Sequence, residues 1–230
     1  MNVSQVLALL EKHGTRRTRD GMARYAIVAE RAFGVSMSQL NVFRKQIGTD
    51  HDLARGLWSS GVYEGRLLAA LIGDPARVTP REMDAWARDF ENWADCDTVC
   101  FALWDRTPHA WTRAAKWAKA PDELVRRAGF VLMACLAGHD KEASDAKFRP
   151  FLVLIEQGAS DERNWVKKGV SWALRGIGHR SPSLNSAAQA VAKRLAKSDD
   201  STARWVGKDA LRDITRPAVL AKLRRVTASG

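Results

Sequence analysis

The sequence contains few of the residues that build disulfide frameworks, metal clusters or sheets. Only three of its 230 residues are cysteine, and no CxxC motif, HExxH motif or histidine pair stands at ligand spacing. β-Branched residues are sparse, and apolar residues do not alternate with a period of two as they do in strands. These absences argue against a disulfide-stabilised secreted domain, a metal centre and a β-sheet protein.

Long apolar runs are also missing. No stretch approaches the roughly 18–20 consecutive apolar residues that span a bilayer. The N-terminal segment has neither a basic start nor a small-residue cleavage site, so it does not look like a signal peptide. The cysteines, Cys96, Cys100 and Cys135, lie in runs typical of helix interiors. We therefore expect a cytoplasmic protein with buried, reduced thiols.

Positive charge is abundant. The chain has 37 Lys and Arg against 26 Asp and Glu, a formal net charge of +11 and a pI near 10.0. Such an excess favours a polyanionic partner, nucleic acid first and an acidic membrane surface second. Apolar residues make up 46% of the chain, enough for a sizeable core.

Apolar residues recur at spacings of three and four along the chain, which predicts about fourteen helices with short polar connections. One predicted helix covers residues 17–33, and others are expected to begin at Thr79-Pro80, Thr107-Pro108 and Ser181-Pro182. Helix pairs repeating every ~40 residues predict an all-α fold, an α-solenoid of HEAT-like pairs with a basic concave face. No linker is evident, so residues 1–230 are predicted to form one domain with a frayed end at 227–230.

The segment Glu91–Cys100 carries Trp93 and Asp97 four residues apart on a predicted helix. This spacing places both side chains on one face, one turn apart. A carboxylate beside an aromatic face can stabilise a developing positive charge. The alternative is a core tryptophan with a solvated or capping acid, which is the commoner case for such a pair taken alone.

A second helix face combines cations with an indole. Lys168, Trp172 and Arg175 are spaced four and three apart, while Lys167 lies elsewhere on the same helix. Phosphates held by the cations and a sugar or base against the ring would suit a nucleic-acid surface. The alternative is a tryptophan that belongs to the core.

Two further places are rich in arginine. Arg126 and Arg127 are adjacent on a predicted helix and point about 100° apart, so only one can face the concave side. Arg127 could instead pair with Glu123 one turn earlier. Arg24 and Tyr25 end the arginine-rich run that begins at Arg16, for which a solvated helix face is the simple alternative.

Four segments together resemble a known family. FENWADCDTVC, RRAGFVLM and NWVKKGVSWALRGIG, in this order, and LWSSGVYEGRLLAALIG at Leu57–Gly73 are similar to segments of the AlkD family of HEAT-like-repeat DNA glycosylases, a group of DNA alkylation repair enzymes. The likeness covers roughly residues 20–215. It implies excision of cationic N3- and N7-alkylated purines from duplex DNA, without a metal or an organic cofactor. A monomer would suffice for this activity. We expect the protein to associate with the nucleoid when it binds DNA and to have no membrane partner.

The resemblance also implies roles for particular residues. The catalytic aspartate of the family falls on Asp97, its two active-site tryptophans on Trp93 and Trp172, and its characteristic arginine on Arg127. In the family the deoxyribose lies against the indoles, and no base pocket encloses the lesion. The N-terminal segment departs from the family in being shorter and richer in arginine. The residues expected to contact DNA are Lys168, Arg175, Lys167, Arg126, Tyr25 and Arg24.

Two other functions stay open at this point. One is a non-catalytic helical protein that binds damaged or branched DNA, which would share the charge and the fold. The other is a protein–protein scaffold, the commonest use of HEAT-like repeats, whose concave face should be acidic or mixed in charge. The presence of Asp97 with both tryptophans favours the glycosylase over the first, and the basic charge disfavours the second.

Overall fold

The computed structural model describes residues 1–228 and confirms the predicted all-α class, since these residues form helices and connections without a strand. The chain forms two compact units, Met1–Pro108 (unit 1) and His109–Gly230 (unit 2). The single domain expected over residues 1–230 stays a prediction. Within residues 1–228, none of the helices is both long enough and apolar enough to cross a bilayer.

Unit 1 has seven α-helices and two short 3-10 helices, Ala23–Tyr25 and Trp104–Arg106. Asparagine, serine, threonine or aspartate caps most of the α-helices, as expected for residues whose side-chain oxygen accepts from the first turn. The α-helices are α1 (Val3–His13), α2 (Arg16–Met22), α3 (Met37–Ile47), α4 (His51–Ser59), α5 (Tyr63–Ile72), α6 (Pro80–Arg88) and α7 (Trp93–Ala102).

The predicted helix over residues 17–33 is wrong. Helix α2 ends at Met22, and the following 3-10 turn ends where Ala26 adopts a left-handed conformation with φ of 52°. No residue of α2 is buried, so this segment lacks the apolar stripe that would hold a longer helix against a core. The scattered apolar residues of this arginine-rich segment have a helix-like spacing, but they do not form the buried face of a helix.

A buried carboxylate organises the irregular segment that replaces this helix. Glu64 on α5 is fully buried, and it accepts from the amides of Phe33, Gly34 and Val35 at 2.9, 2.6 and 3.1 Å. Gly34 has φ of 86°, and a Cβ there would lie 2.2 Å from the carbonyl oxygen of Thr15. The close approach therefore requires glycine at this position.

Aromatic stacking fixes the middle of unit 1. The rings of Trp58 and Trp86 are parallel, with centroids 4.2 Å apart, and Trp58 Nε1 donates to Asp89 at 2.9 Å. Arg66 lies over the Trp58 ring, 5.7 Å from its centroid, and α5 packs against both α4 and α7. This packing anchors α7, the helix that carries Trp93 and Asp97.

The predicted helix start at Thr107-Pro108 is also wrong. The Thr107 hydroxyl donates to the carbonyl of Trp104 at 2.8 Å instead of capping a helix, and the next helix begins at Ala110. The starts predicted at Thr79-Pro80 and Ser181-Pro182 are confirmed, because each hydroxyl accepts from the amide three residues later.

Unit 2 is built around one long buried helix. In α9 every residue from Arg127 to Ala137 is buried, and α8 and α11 pack against it. A Cβ on Gly129 would lie 2.4 Å from the Ala118 amide nitrogen, so α8 approaches α9 at backbone distance. Helix α11 also packs against α12 and α13. The helices are α8 (Ala110–Trp117), α9 (Glu123–His139), α10 (Asp145–Gly158), α11 (Asn164–Gly178), α12 (Pro182–Ala196), α13 (Ser201–Ile214) and α14 (Pro217–Ala228).

The predicted frayed end begins inside α14, which extends to Ala228, and residues 229–230 of that prediction lie outside the described residues. All three cysteines are buried and none forms a disulfide. The expected burial of the thiols is confirmed.

Candidate active site and nucleic-acid interface

Helix α7 begins with a reciprocal cap. The Asn92 side chain accepts from the Asp95 amide at 3.2 Å, and Asp95 accepts from the amides of Asn92 and Glu91 at 3.4 and 3.1 Å. Asp95 is only 1% exposed, and burial raises its pKa to about 6, although the amide hydrogen bonds and Arg66 act in the opposite direction. The capping acid of this segment is therefore Asp95.

Asp97 and Trp93 lie on the same helix, and both side chains are half-buried. Trp93 is the first residue of α7, and its Nε1 donates to the Tyr25 carbonyl at 2.9 Å, which fixes the edge of the indole. Asp97 follows one turn later, beyond the cap. Unit 1 therefore has a half-buried acid, Asp97, four residues after a tryptophan whose ring is fixed by a hydrogen bond.

The segment around Tyr25 is tied to the start of α7 through its backbone. Besides the bond from Trp93, the Asn92 side chain donates to the Val28 carbonyl at 3.1 Å, and the Glu30 amide donates to Glu91 at 2.9 Å. The Tyr25 side chain is left 68% exposed, and Arg24 is exposed as well. The structure thus fixes the main chain here and leaves the side chains open to solvent.

In unit 2, facing sides of α11 and α13 line a groove of about 430 Å³. Lys168, Trp172 and Arg175 from α11 share its wall, so the structure brings together the three residues of the predicted cation–indole–cation face. The other residues that line it are Arg127, Ser171, Gly176, His179, Trp205, Asp209, Asp213 and Arg216.

The two carboxylates of the groove are held by side chains that line it and by the neighbouring Arg212. Asp209 accepts from the Ser171 hydroxyl at 2.6 Å and from Arg212 at 2.8 Å, and Arg175 Nε lies 3.9 Å away. Asp213 lies 2.6 Å from Arg216 Nη2 and 2.7 Å from His179 Nε2. The acids therefore join α11 to α13, and one end of the groove is mixed in charge.

Lysines accompany the indoles at the other end. Lys168 Nζ lies 5.1 Å from the centroid of the Trp165 ring, and Lys167 Nζ lies 5.3 Å from that of Trp205. Trp172 is half-buried, whereas Trp205 is 40% exposed. Lys167 does not line the groove itself, but its ammonium group lies beside Trp205, which does.

The adjacent arginines differ sharply. Arg127 is 5% exposed, lines the groove and donates to the Trp165 carbonyl at 2.7 Å. Arg126 does not line the groove, and its Nε lies 3.3 Å from Asp161. Glu123 accepts from the Trp165 amide at 3.1 Å. Of the two arginines, Arg127 is the one placed to act in the groove.

Comparison with known proteins settles the family. The model of the family described as DNA alkylation repair enzyme matches residues 6–214. The chain belongs to this family. The chain is also similar to a solved structure, with a TM-score of 0.81 and 22% sequence identity, and the match covers 97% of this chain and 96% of the other. That structure is described as a new family of proteins related to the HEAT-like repeat DNA glycosylases with affinity for branched DNA structures. Among curated proteins, none matches.

For this DNA alkylation repair family member, the structural likeness confirms the predicted fold of HEAT-like helix pairs. A basic concave face stays a prediction. Asp97 and Trp93 belong to unit 1 and Trp172 and Arg127 to unit 2, and their convergence on one site also stays a prediction.

Sequence reasoning missed several residues of this repair-family chain. Asp95 could have been found from its spacing to Asn92, because an acid three residues after an N-cap residue is a capping-box pattern. Trp205, Asp209 and Asp213 recur at spacings of four on α13, but a row of one indole and two acids does not differ from a solvated helix face in the sequence. Only the packing of α13 against α11 gives this row a groove to line.

Proposed function

We propose that this protein is a DNA glycosylase of the AlkD type, which hydrolyses the N-glycosidic bond of cationic N3- and N7-alkylated purines in duplex DNA. The C1′–N bond breaks with its electron pair leaving on the purine, so the cationic base departs as a neutral molecule. Water then adds to C1′ and gives up a proton. No general acid is needed, because alkylation has already made the base a good leaving group.

The protein has to stabilise the positive charge that develops on the sugar and to orient the attacking water. In this proposal Asp97 faces C1′, and Trp93 and Trp172 flank the sugar with their negative π-faces. Arg127 holds a backbone phosphate or orients Asp97. Lys168 and Arg175 anchor flanking phosphates, a contribution that is independent of sequence and sensitive to salt.

The observation that carries this proposal is the family match over residues 6–214 in a chain that has an acid at position 97, beyond the cap and only half-buried. Asp95 serves as the capping acid of α7, so the cap does not depend on Asp97. The α11–α13 groove, with Trp172 between Lys168 and Arg175, supports the DNA-binding part of the proposal.

The test compares wild type with Asp97→Asn on duplex DNA that contains 7-methylguanine. Removing one preorganised electrostatic group typically costs roughly 10²–10³-fold in rate, and we expect a loss of that size in single-turnover excision, scored as alkali-labile abasic sites. Affinity for the same duplex should change little. Asp20→Asn, an exposed acid paired with Arg16 in unit 1, is the matched control and should leave both unchanged.

A parallel loss of excision, DNA affinity and stability in Asp97→Asn would assign Asp97 a structural role instead. Excision of a neutral base such as uracil at a comparable rate would contradict the mechanism, since the proposed mechanism includes no acid that protonates a poor leaving group.

The second candidate function is DNA binding without excision. It is favoured by the relative of TM-score 0.81 that is described as having affinity for branched DNA structures. Under this alternative, wild type would bind duplex or branched DNA but leave 7-methylguanine in place. The same excision assay therefore separates the two functions.

A further inference from the structure

The α11–α13 groove contains carboxylates and indoles as well as the cations that a phosphate contact requires. A surface that tracks the DNA backbone needs cations, and carboxylates oppose it. Here Asp209 and Asp213 face the same space as Lys168, Arg175 and Arg216. A lining of both charge signs and two indoles instead fits a ligand with an anionic part, an aromatic part and N–H donors on its edge, as in a nucleotide whose base is unpaired.

Trp205 is the residue best suited to take the aromatic part. It is the one tryptophan among the exposed large hydrophobic residues of the described chain, with 40% of its surface open. Lys167 Nζ lies 5.3 Å from its ring centroid, which places a cation beside the exposed indole. Stacking of a base on an aromatic side chain, with cations nearby for the phosphates, is the usual arrangement in proteins that bind single-stranded nucleic acid.

The carboxylates can read the edge of such a base. Each oxygen of Asp209 carries one hydrogen bond, from Ser171 or Arg212, and a carboxylate oxygen can accept a second. Acidic side chains accept from the amino groups of bases. The groove volume of about 430 Å³ lies within the roughly 300–1,000 Å³ typical of small-ligand sites.

We propose that this groove holds one unpaired nucleotide of a DNA strand, with the base stacked on Trp205, its edge at Asp209 and its phosphates on Lys168 and Arg175. The proposal rests on the DNA-binding part of the proposed function and not on base excision. It predicts a preference for DNA in which a nucleotide is already outside the stack.

The test uses undamaged DNA, a short duplex with a single unpaired adenine and the same duplex fully paired. Fluorescence anisotropy at one fixed salt concentration gives the dissociation constant for each. Because stacking contributes roughly 1–3 kcal/mol per base, wild type should bind the bulged duplex at least about fivefold more tightly. Trp205→Ala should lose that preference while keeping its affinity for the paired duplex, and Trp205→Phe should keep most of it.

Lys193→Gln is the matched control, since this exposed lysine of α12 lies outside the groove, and it should not alter the preference. Equal binding of both duplexes by wild type would overturn the proposal, as would an equal loss for both in Trp205→Ala. A preference that survives in Trp205→Ala would place the unpaired nucleotide elsewhere and also overturn it. The outcome is independent of whether 7-methylguanine is excised.

Discussion

Units 1 and 2 use their charged residues differently. Unit 1 has 14 basic and 14 acidic residues, whereas unit 2 has 23 basic and 12 acidic residues, so the whole excess of +11 belongs to unit 2. The difference indicates that long-range attraction to a polyanion is a property of unit 2. Unit 1 instead holds the acid to which we assign the chemistry, in a setting without net positive charge.

Two buried acids of unit 1 and two partly exposed acids of unit 2 have different partners. In unit 1, Glu64 and Asp95 accept hydrogen bonds from main-chain amides. In unit 2, hydrogen bonds from Arg163 lower the pKa of Asp161, and those from Arg194 lower the pKa of Glu156. Glu64 and Asp95 thus organise a loop and a helix cap, whereas Asp161 and Glu156 are held by arginine side chains.

The largest effect expected from this comparison is on Glu64. In Glu64→Gln, the amide that replaces one carboxylate oxygen would face main-chain N–H groups near Phe33 and Gly34. Leaving buried donors unsatisfied costs roughly 1–3 kcal/mol each, so we expect the free energy of unfolding to fall by about 2–3 kcal/mol in urea titrations. Glu11→Gln, an exposed change on α1, should have no measurable effect. Equal stabilities of the two variants would contradict an organising role for Glu64.

The next effect concerns the cations. Neutralising Lys168 and Arg175 together should reduce the slope of log K against log salt by about 1.8, since each phosphate contact contributes roughly 0.9. Between 50 and 200 mM salt, wild type should therefore lose about tenfold more affinity for duplex DNA than the double Gln variant.

The control for this prediction comes from unit 1. Arg55 and Arg77 are also exposed, but each faces a carboxylate, Glu82 and Asp52 respectively. The Arg55→Gln, Arg77→Gln variant should keep the wild-type slope. A similar reduction in both double variants would show that the two units share the DNA contacts and would remove the distinction between them.

The parts that sequence could predict are those set by local rules. Helical periodicity and proline or serine caps gave most of the helices, and the spacing of Lys168, Trp172 and Arg175 gave one shared face. The irregular segment after Met22 escaped prediction, because its conformation depends on Glu64, some thirty residues away in sequence. The α13 side of the groove could not be predicted either, because only its packing against α11 distinguishes it from a solvated helix face.

The smallest effect tests the acid of the α7 cap. Burial raises the pKa of Asp95 to about 6, above its ordinary value of 3.8, so the folded state holds this proton more tightly than the unfolded state does. The stability that Asp95 contributes is therefore present at low pH and is lost as the pH rises through 6. When the pH is raised from about 5 to about 7.5, the unfolding free energy of wild type should fall by about 1 kcal/mol relative to that of Asp95→Asn.

Urea unfolding of both proteins at the two pH values measures this shift. The arginine-paired acids of unit 2 favour higher pH, but they occur in both proteins and cancel in the difference. A difference that stays constant, or that shifts toward wild type, would mean that the Asp95 carboxylate is stabilised in its ionised form by Arg66 and the amides. In that case Asp95 would titrate like Asp161 and Glu156, whose pKa values arginine partners lower, and the contrast between main-chain and arginine partners would have no energetic consequence.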